Sequence, residues 1–171
     1  MSMAETAVAP SDWIGGLPYR IFRINQGVHR RVAEAIEDLG VTVTQLGIVV
    51  HLDELGHMSA SDLARLLGLT PQSVSTALGH IESLGWVTRV PHPVHKRVIW
   101  YELTSAGAQA AVDGRSRVVK VNREVLDVIP EAERAGFEAS LALLLSEFSD
   151  DVPYGTLWPI PGWSAPPRSE R

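Results

Sequence analysis

The residues best suited to act on another molecule lie in two places. One is the polar run Thr70, Gln72, Ser73, Ser75, Thr76 and His80, with Ser61 just upstream; the other is the basic tip His92, His95, Lys96 and Arg97. Hydroxyl and amide side chains donate and accept hydrogen bonds in patterns that match base edges, and a Gln reads adenine through two parallel bonds. Lys and Arg neutralise phosphates, and an Arg in a narrow minor groove gains from the enhanced negative potential there. The chemistry in view is non-covalent recognition of duplex DNA.

Covalent chemistry has little support. No GxSxG, HExxH, phosphate-binding glycine loop or GxGxxG stands at a strand-to-helix turn, so the chain is read as a non-enzyme with no cofactor. With no cysteine in 171 residues, disulfides, thiolate zinc sites and thiol redox sensing are excluded. Of the six histidines, His51 and His57 with Asp53 or Glu54 form the nearest cluster. The two imidazoles are six residues apart with a glycine between, not at the i, i+4 spacing that puts two ligands on one helix face, and no metal site is assigned.

Elements must position the polar run and the basic tip. In SASDLARLLGL, Ser59 or Ser61 caps a short helix, Leu63, Ala64, Leu66 and Leu67 share its apolar face, and Gly68 stops it. Thr70 caps the next helix, with Pro71 at its first position, where the missing N–H is harmless. Val74, Ala77, Leu78, Ile81 and Leu84 face inward and leave the polar run outside. A major groove about 12 Å wide admits such a helix with the residues of its first turns toward the bases. In WVTRVPHPVHKRVIWYEL, β-branched and aromatic runs flank PHPVHKR, which predicts a hairpin with a basic tip. Helix, turn, helix and basic hairpin in that order describe a winged helix-turn-helix from about Ser59 to Thr104.

The flanks read as helices. Ile14, Leu17, Ile21, Ile24, Val28, Val32, Ile36 and Leu39 recur every three or four residues and predict a helix over 13–39. Thr42 or Thr44 caps a core helix ending near Gly56. Thr104 or Ser105 caps a helix to about Asp127, and Pro130 opens a last one with Phe137, Leu141, Leu144, Leu145 and Phe148 on its apolar side. The expected organisation is mainly α with a small β-hairpin wing: a flexible terminus over 1–12, a helical dimerisation region over 13–39 and 104–148, a winged helix-turn-helix over 40–103, and a Pro/Trp-rich tail over 149–171 that docks in part on a surface.

No apolar run approaches the roughly 18 residues of a membrane span, and MSMAETAVAPSDW lacks the basic start and apolar core of a secretory signal; the expected location is the cytoplasm, with no membrane partner. A formal charge of −5 argues mildly against DNA, yet no acidic residue lies between Glu82 and Glu102, where Arg89, Lys96 and Arg97 sit. A winged helix that binds only protein is the competing reading. The negative charge and the Trp-rich tail favour it, but such a module has no need of a cationic wing.

VTVTQLGIVVHL, SASDLARLLGLTPQSVSTALGHIESLGWVTRV and KRVIWYELT together resemble MarR-type transcriptional regulators. The match runs through Gln45, Leu63, Ala64, Pro71, Val74, Ser75, Ile81, Glu82, Gly85, Val87, Arg89, Arg97, Leu103 and Thr104, and the flanking helices extend it from about Trp13 to Phe148. The resemblance implies a triangular homodimer built from the first and last two helices, two reading heads on a pseudo-palindromic site, and in most cases repression. It also implies release from DNA on binding a small aromatic or phenolic effector between the first two helices, the fifth helix and the reading head, which brings in Trp13, Tyr19, Arg23 and His51. Departures from the family pattern concentrate at the DNA-facing parts. The acidic residue usual two positions before the wing arginine is His95, a frequent wing aspartate is His92, a commonly basic recognition-helix position is Thr76, and a commonly acidic one is Gly79.

Overall fold

In the computed structural model, residues 15–92 and 97–148 are described. The chain order is α1 (Leu17–Ala35), a 3-10 turn (Glu37–Leu39), α2 (Val43–Leu55), β1 (Met58–Ser59), α3 (Ala60–Leu67), α4 (Pro71–Ser83), β2 (Val87–Pro91), β3 (Ile99–Leu103), α5 (Ser105–Leu126) and α6 (Glu131–Phe148). The strands form an antiparallel sheet in the order β1-β3-β2, with Val90 and Ser59 on either side of Trp100. The expected hairpin is therefore joined by a third strand. Two residues are too few to show a strand periodicity, and β1 exists because its backbone completes the ladder beside Trp100 and Tyr101.

α1 is shorter than the periodicity predicts. It starts after Gly16, whose backbone is extended, and Pro18 occupies the first turn. At Ile36 the chain tightens into the 3-10 turn. There the Leu39 amide donates to the Ile36 carbonyl at 2.9 Å. Trp13 and Ile14 lie outside the described residues.

The core is divided by α2. Thr42 caps this helix in a capping box, in which cap and third residue satisfy each other's amides. The Thr42 Oγ1 accepts from the Gln45 amide at 3.2 Å. In return the Thr42 amide donates to Gln45 Oε1 at 2.8 Å. Every residue from Leu46 to Leu52 is buried, the pattern of a helix surrounded on all sides. Ile48, Val49 and Leu52 pack with Leu63, Val74, Leu78, Ile81, Val87 and Tyr101 in the reading head. Leu46 and Val50 pack instead with Val32, Ile36, Val118 and Val121 of α1 and α5. At about 1.5–3 kcal/mol for each fully buried aliphatic side chain, both cores contribute substantially. Leu84, expected on the inward face of α4, is its C-cap residue and is exposed, because the helix ends before that position turns inward.

Two helices leave apolar side chains in water. Along α1, Leu17, Ile21, Phe22 and Ile24 are exposed, and on α6 so are Phe137, Leu141, Leu143 and Leu145. No helix among the described residues is long and apolar enough to cross a membrane.

Candidate nucleic-acid interface

Local capping fixes the helix-turn-helix. Ser59, rather than Ser61, caps α3 through a second capping box. The Ser59 Oγ accepts from the Asp62 amide at 3.2 Å. The Asp62 carboxylate accepts from the Ser59 amide at 3.3 Å. Ser61 sits exposed in the first turn. The helix stops at Gly68, whose φ of 64° is left-handed and favours glycine. Beyond it the Leu69 amide returns to the Ala64 carbonyl at 2.9 Å. Thr70 then caps α4 by accepting from the Ser73 amide at 3.1 Å. Val74, Ala77, Leu78 and Ile81 are buried beneath it, which fixes the roll of the helix and turns Gln72, Ser73, Ser75 and Thr76 to solvent.

Hydrogen bonding sorts this outward face. The Thr70 and Ser73 hydroxyls bond each other at 2.8 Å, and the Thr76 hydroxyl donates to the Gln72 carbonyl at 3.0 Å. Among the described residues, the side chains of Gln72 and Ser75 are left with their donors and acceptors open. His80 is turned elsewhere: its Nε2 donates to the carbonyl of Gly40 at 3.0 Å, linking the end of α4 to the turn that precedes α2. That contact spans 40 residues and carries no sequence signal.

Of the basic stretch, Arg89 is already paired. It donates to the Glu82 carboxylate at 2.8 Å. Its guanidinium carbon also lies 5.7 Å from the centroid of the Tyr101 ring. The bond to Glu82, with smaller help from Tyr101, pushes the guanidinium still further above its usual range. Arg97 is exposed at the return of the wing. The His92 amide closes the wing's base by donating to the Val98 carbonyl at 3.1 Å. His95 and Lys96 lie outside the described residues.

The described residues among those expected to line an effector pocket differ in exposure. Tyr19 and Arg23 form an exposed pair on α1, with the guanidinium donating to the phenol oxygen at 3.3 Å. Trp13 lies outside the described residues. His51 is fully buried on α2. Its Nδ1 lies 2.6 Å from the Gly47 carbonyl. A carbonyl can only accept, so Nδ1 carries the proton and Nε2 is a buried acceptor without a partner. Nearby, Arg115 of α5 bonds Asp53 at 2.6 Å and Glu54 at 3.5 Å. Burial pushes the Glu54 carboxyl up, against the pull of Arg115. On the other side of α5, Arg117 grips Asp38 and holds that carboxyl below its usual range. The described residues contain no group of His, Asp and Glu arranged to hold a metal, so His51 and His57 do not form the cluster their proximity in sequence raised.

Burial drives the proton affinity of His51 down, with the Gly47 bond opposing. The unfolded chain protonates this imidazole near pH 6.5 while the fold disfavours it, so the stability that rests on neutral His51 is complete above that pH and declines as pH falls below it. In denaturant melts at pH 8 and pH 5.5, the stability gap between the parent and His51→Leu is expected to move toward the variant by up to about 1.4 kcal/mol per pH unit below 6.5. A gap independent of pH would contradict this environment for His51.

The sequence model of the MarR family matches residues 39–98, from the end of the 3-10 turn to the residue before β3. The HTH-type transcriptional repressor Rv2887 of Mycobacterium tuberculosis is 26% identical over 131 residues, covering 77% of this chain and 94% of that protein. Over these residues the chain is similar to MarR-family regulators.

Further comparisons show the same likeness. The multiple antibiotic resistance protein MarR of Escherichia coli is 26% identical over 88 residues, 52% of this chain and 61% of that one. The crystal structure of a mutant MarR from E. coli complexed with operator DNA superposes with a TM-score of 0.71 at 24% identity, covering 81% of this chain and 99% of that one. Rv2887 in complex with salicylic acid gives a TM-score of 0.64 at 26% identity, over 75% of this chain and 96% of that one. The mainly helical fold with a small three-stranded wing sheet is thus that of MarR.

Proposed function

We propose that this chain is a MarR-type, sequence-specific transcriptional repressor that binds a pseudo-palindromic operator as a homodimer. The observation that carries the reading is α4: its cap and buried face present Gln72 and Ser75 outward with open hydrogen-bond groups, beside a wing bearing Arg97, in a fold that MarR uses on operator DNA. Gln72 and Ser75 read base edges, Ser61, Thr70, Ser73 and Thr76 contact backbone or adjacent bases, and Arg97 with Lys96, His92 and His95 holds the phosphates or minor groove. His80 acts mainly through Gly40, setting the angle of α4. Residues 13–39 and 104–148 pair with a second copy, which covers the apolar side chains that one chain leaves in water.

An aromatic or phenolic carboxylic acid of the salicylate kind is the effector class, taken between α1, α2, α5 and the head, with Trp13, Tyr19 and Arg23 at its rim. The unpartnered His51 Nε2 accepts a hydroxyl hydrogen bond there. The protein works in the cytoplasm, without a cofactor and without a catalytic step.

Binding to a duplex from the region upstream of the protein's own gene tests the reading. Arg97→Ala is expected to weaken all duplexes alike and to flatten log K against log salt by roughly one unit, whereas Gln72→Ala costs about 1–3 kcal/mol at particular base pairs. If neither change affects affinity, or no salt-sensitive, sequence-preferring complex forms, the winged helix serves protein recognition instead.

A further inference from the structure

The outer face of the wing sheet carries a group of titratable rings that the reading of DNA by α4 does not use. Trp100, half-buried on the central strand β3, is approached from both neighbouring strands. His57, the residue before β1, stacks on the indole at a centroid distance of 5.0 Å and an interplanar angle of 20°. His92, the residue after β2, meets the same indole at 4.2 Å and 58°. Glu102 lies two residues along β3 and so on the same face. It places a carboxylate oxygen 3.6 Å from His57 Nδ1. The three rings thus tie the start of β1, the middle of β3 and the end of β2 together where the wing leaves the sheet.

We propose that the His57–Trp100–His92 stack is a proton-responsive clamp that tightens the base of the wing as the pH falls and so presents Arg97 to DNA. Histidine is the side chain whose charge ordinarily changes between about pH 5 and 8. A protonated imidazole against an indole adds a cation–π attraction to the stack, and for His57 an ion pair with Glu102 as well. The two imidazolium charges repel each other across the indole; Glu102 offsets one of them.

Several other charged groups on elements packed against β3 have partners of their own. On α2, Asp53 and Glu54 pair with Arg115 of α5. Asp62 of α3 bonds Ser59 and Arg65, and Asp113 of α5 accepts from Gln109. Arg89 of β2 pairs with Glu82 of α4, on the opposite face of the sheet from Trp100. Glu102 is the carboxylate in contact with His57. His92 also carries the amide that closes the wing loop on Val98, so holding its ring holds the loop's base.

The DNA arm of the test rests on the repressor reading, so a readout that needs no DNA accompanies it. Hydrogen exchange of the amide at position 92, corrected for the intrinsic pH dependence of exchange, reports closure of the wing base. Between pH 8 and pH 6 its protection in the parent is expected to rise about three- to tenfold, the size of one or two cation–π contacts at a partly exposed site. His57→Phe with His92→Phe keeps the stacked rings but removes the protons, and the rise should vanish; Glu102→Gln should diminish it. In parallel, anisotropy at fixed ionic strength with a fluorescein-labelled duplex from upstream of the protein's own gene should show a larger gain in affinity from pH 8 to pH 6 for the parent than for the double variant. His95 is common to both proteins, so its contribution cancels; His57→Phe alone, which keeps His92 and its proposed DNA contact, should also lose part of the gain, and an undiminished gain there overturns the clamp. Equal pH responses of protection in parent and double variant overturn the clamp. If protection responds as expected but no duplex binds at any pH, the clamp stands and the repressor reading falls.

Discussion

Phe137→Glu combined with Leu141→Glu is expected to convert the protein from dimer to monomer and to lower operator affinity by about 10²- to 10⁴-fold, the range over which linking two weak sites raises avidity. The two residues lie one turn apart on α6, and both are exposed in a single chain. In the proposed dimer they are covered by the second copy, where two carboxylates on each chain meet an apolar surface and remain charged only at the cost of keeping the interface open. Both cores lie within one chain and contain no α6 residue, so the helical content should survive. Analytical ultracentrifugation gives the oligomeric state and anisotropy the affinity; a variant that remains dimeric at micromolar concentration would remove α6 from the interface.

The second large effect is on stability. A Cβ at Gly107 would stand 2.0 Å from the Trp86 carbonyl oxygen, 2.9 Å from its carbon and 3.1 Å from a Leu103 methyl. The oxygen belongs to backbone that cannot swing aside, since the same carbonyl accepts from the Thr104 amide at 3.0 Å and the Thr104 hydroxyl donates to the Gly85 carbonyl at 2.7 Å. Gly107→Ala is therefore expected to destabilise by about 3 kcal/mol, at the upper end for overpacking, and to lower the Tm by roughly 6–12 °C. Gly79→Ala supplies the opposite sign. A Cβ there meets nothing within 4 Å. Removing an interior helix glycine should then stabilise by about 1 kcal/mol. Calorimetry on both variants checks the pair. A Gly107→Ala protein as stable as its parent would mean that α5 does not seat on the turn between α4 and β2 as described.

What the residues disclose in advance is what they determine locally. Gly68, Thr70 and Pro71 mark the helix-turn-helix because a left-handed stop, a cap and a first-turn proline act over three or four residues. The inward face of α4 follows from periodicity alone, apart from Leu84 at its end. Contacts that depend on tertiary register are invisible in the same way that β1 is. The bond from His80 to Gly40, the pairing of Arg89 with Glu82 and the stacking of His57 and His92 on Trp100 all join segments whose approach no local pattern encodes. The periodicity also marks the apolar sides of α1 and α6, but not their exposure, which shows only once the described elements are seen packed together.

The sharing of α2 between two cores bears on how far this protein can be treated as modular. A graft that moved residues 40–103 onto the helical base of a similar protein would carry Leu46 and Val50 away from Val32, Ile36, Val118 and Val121 and set them against foreign neighbours. The capping of α4 and the pairing of the wing would travel intact, yet the chimera would inherit a mismatched seam along one side of a single helix. Exchanging DNA specificity between relatives thus calls for replacing the outward residues of α4 in place, or for transplanting α2 together with the facing stripes of α1 and α5.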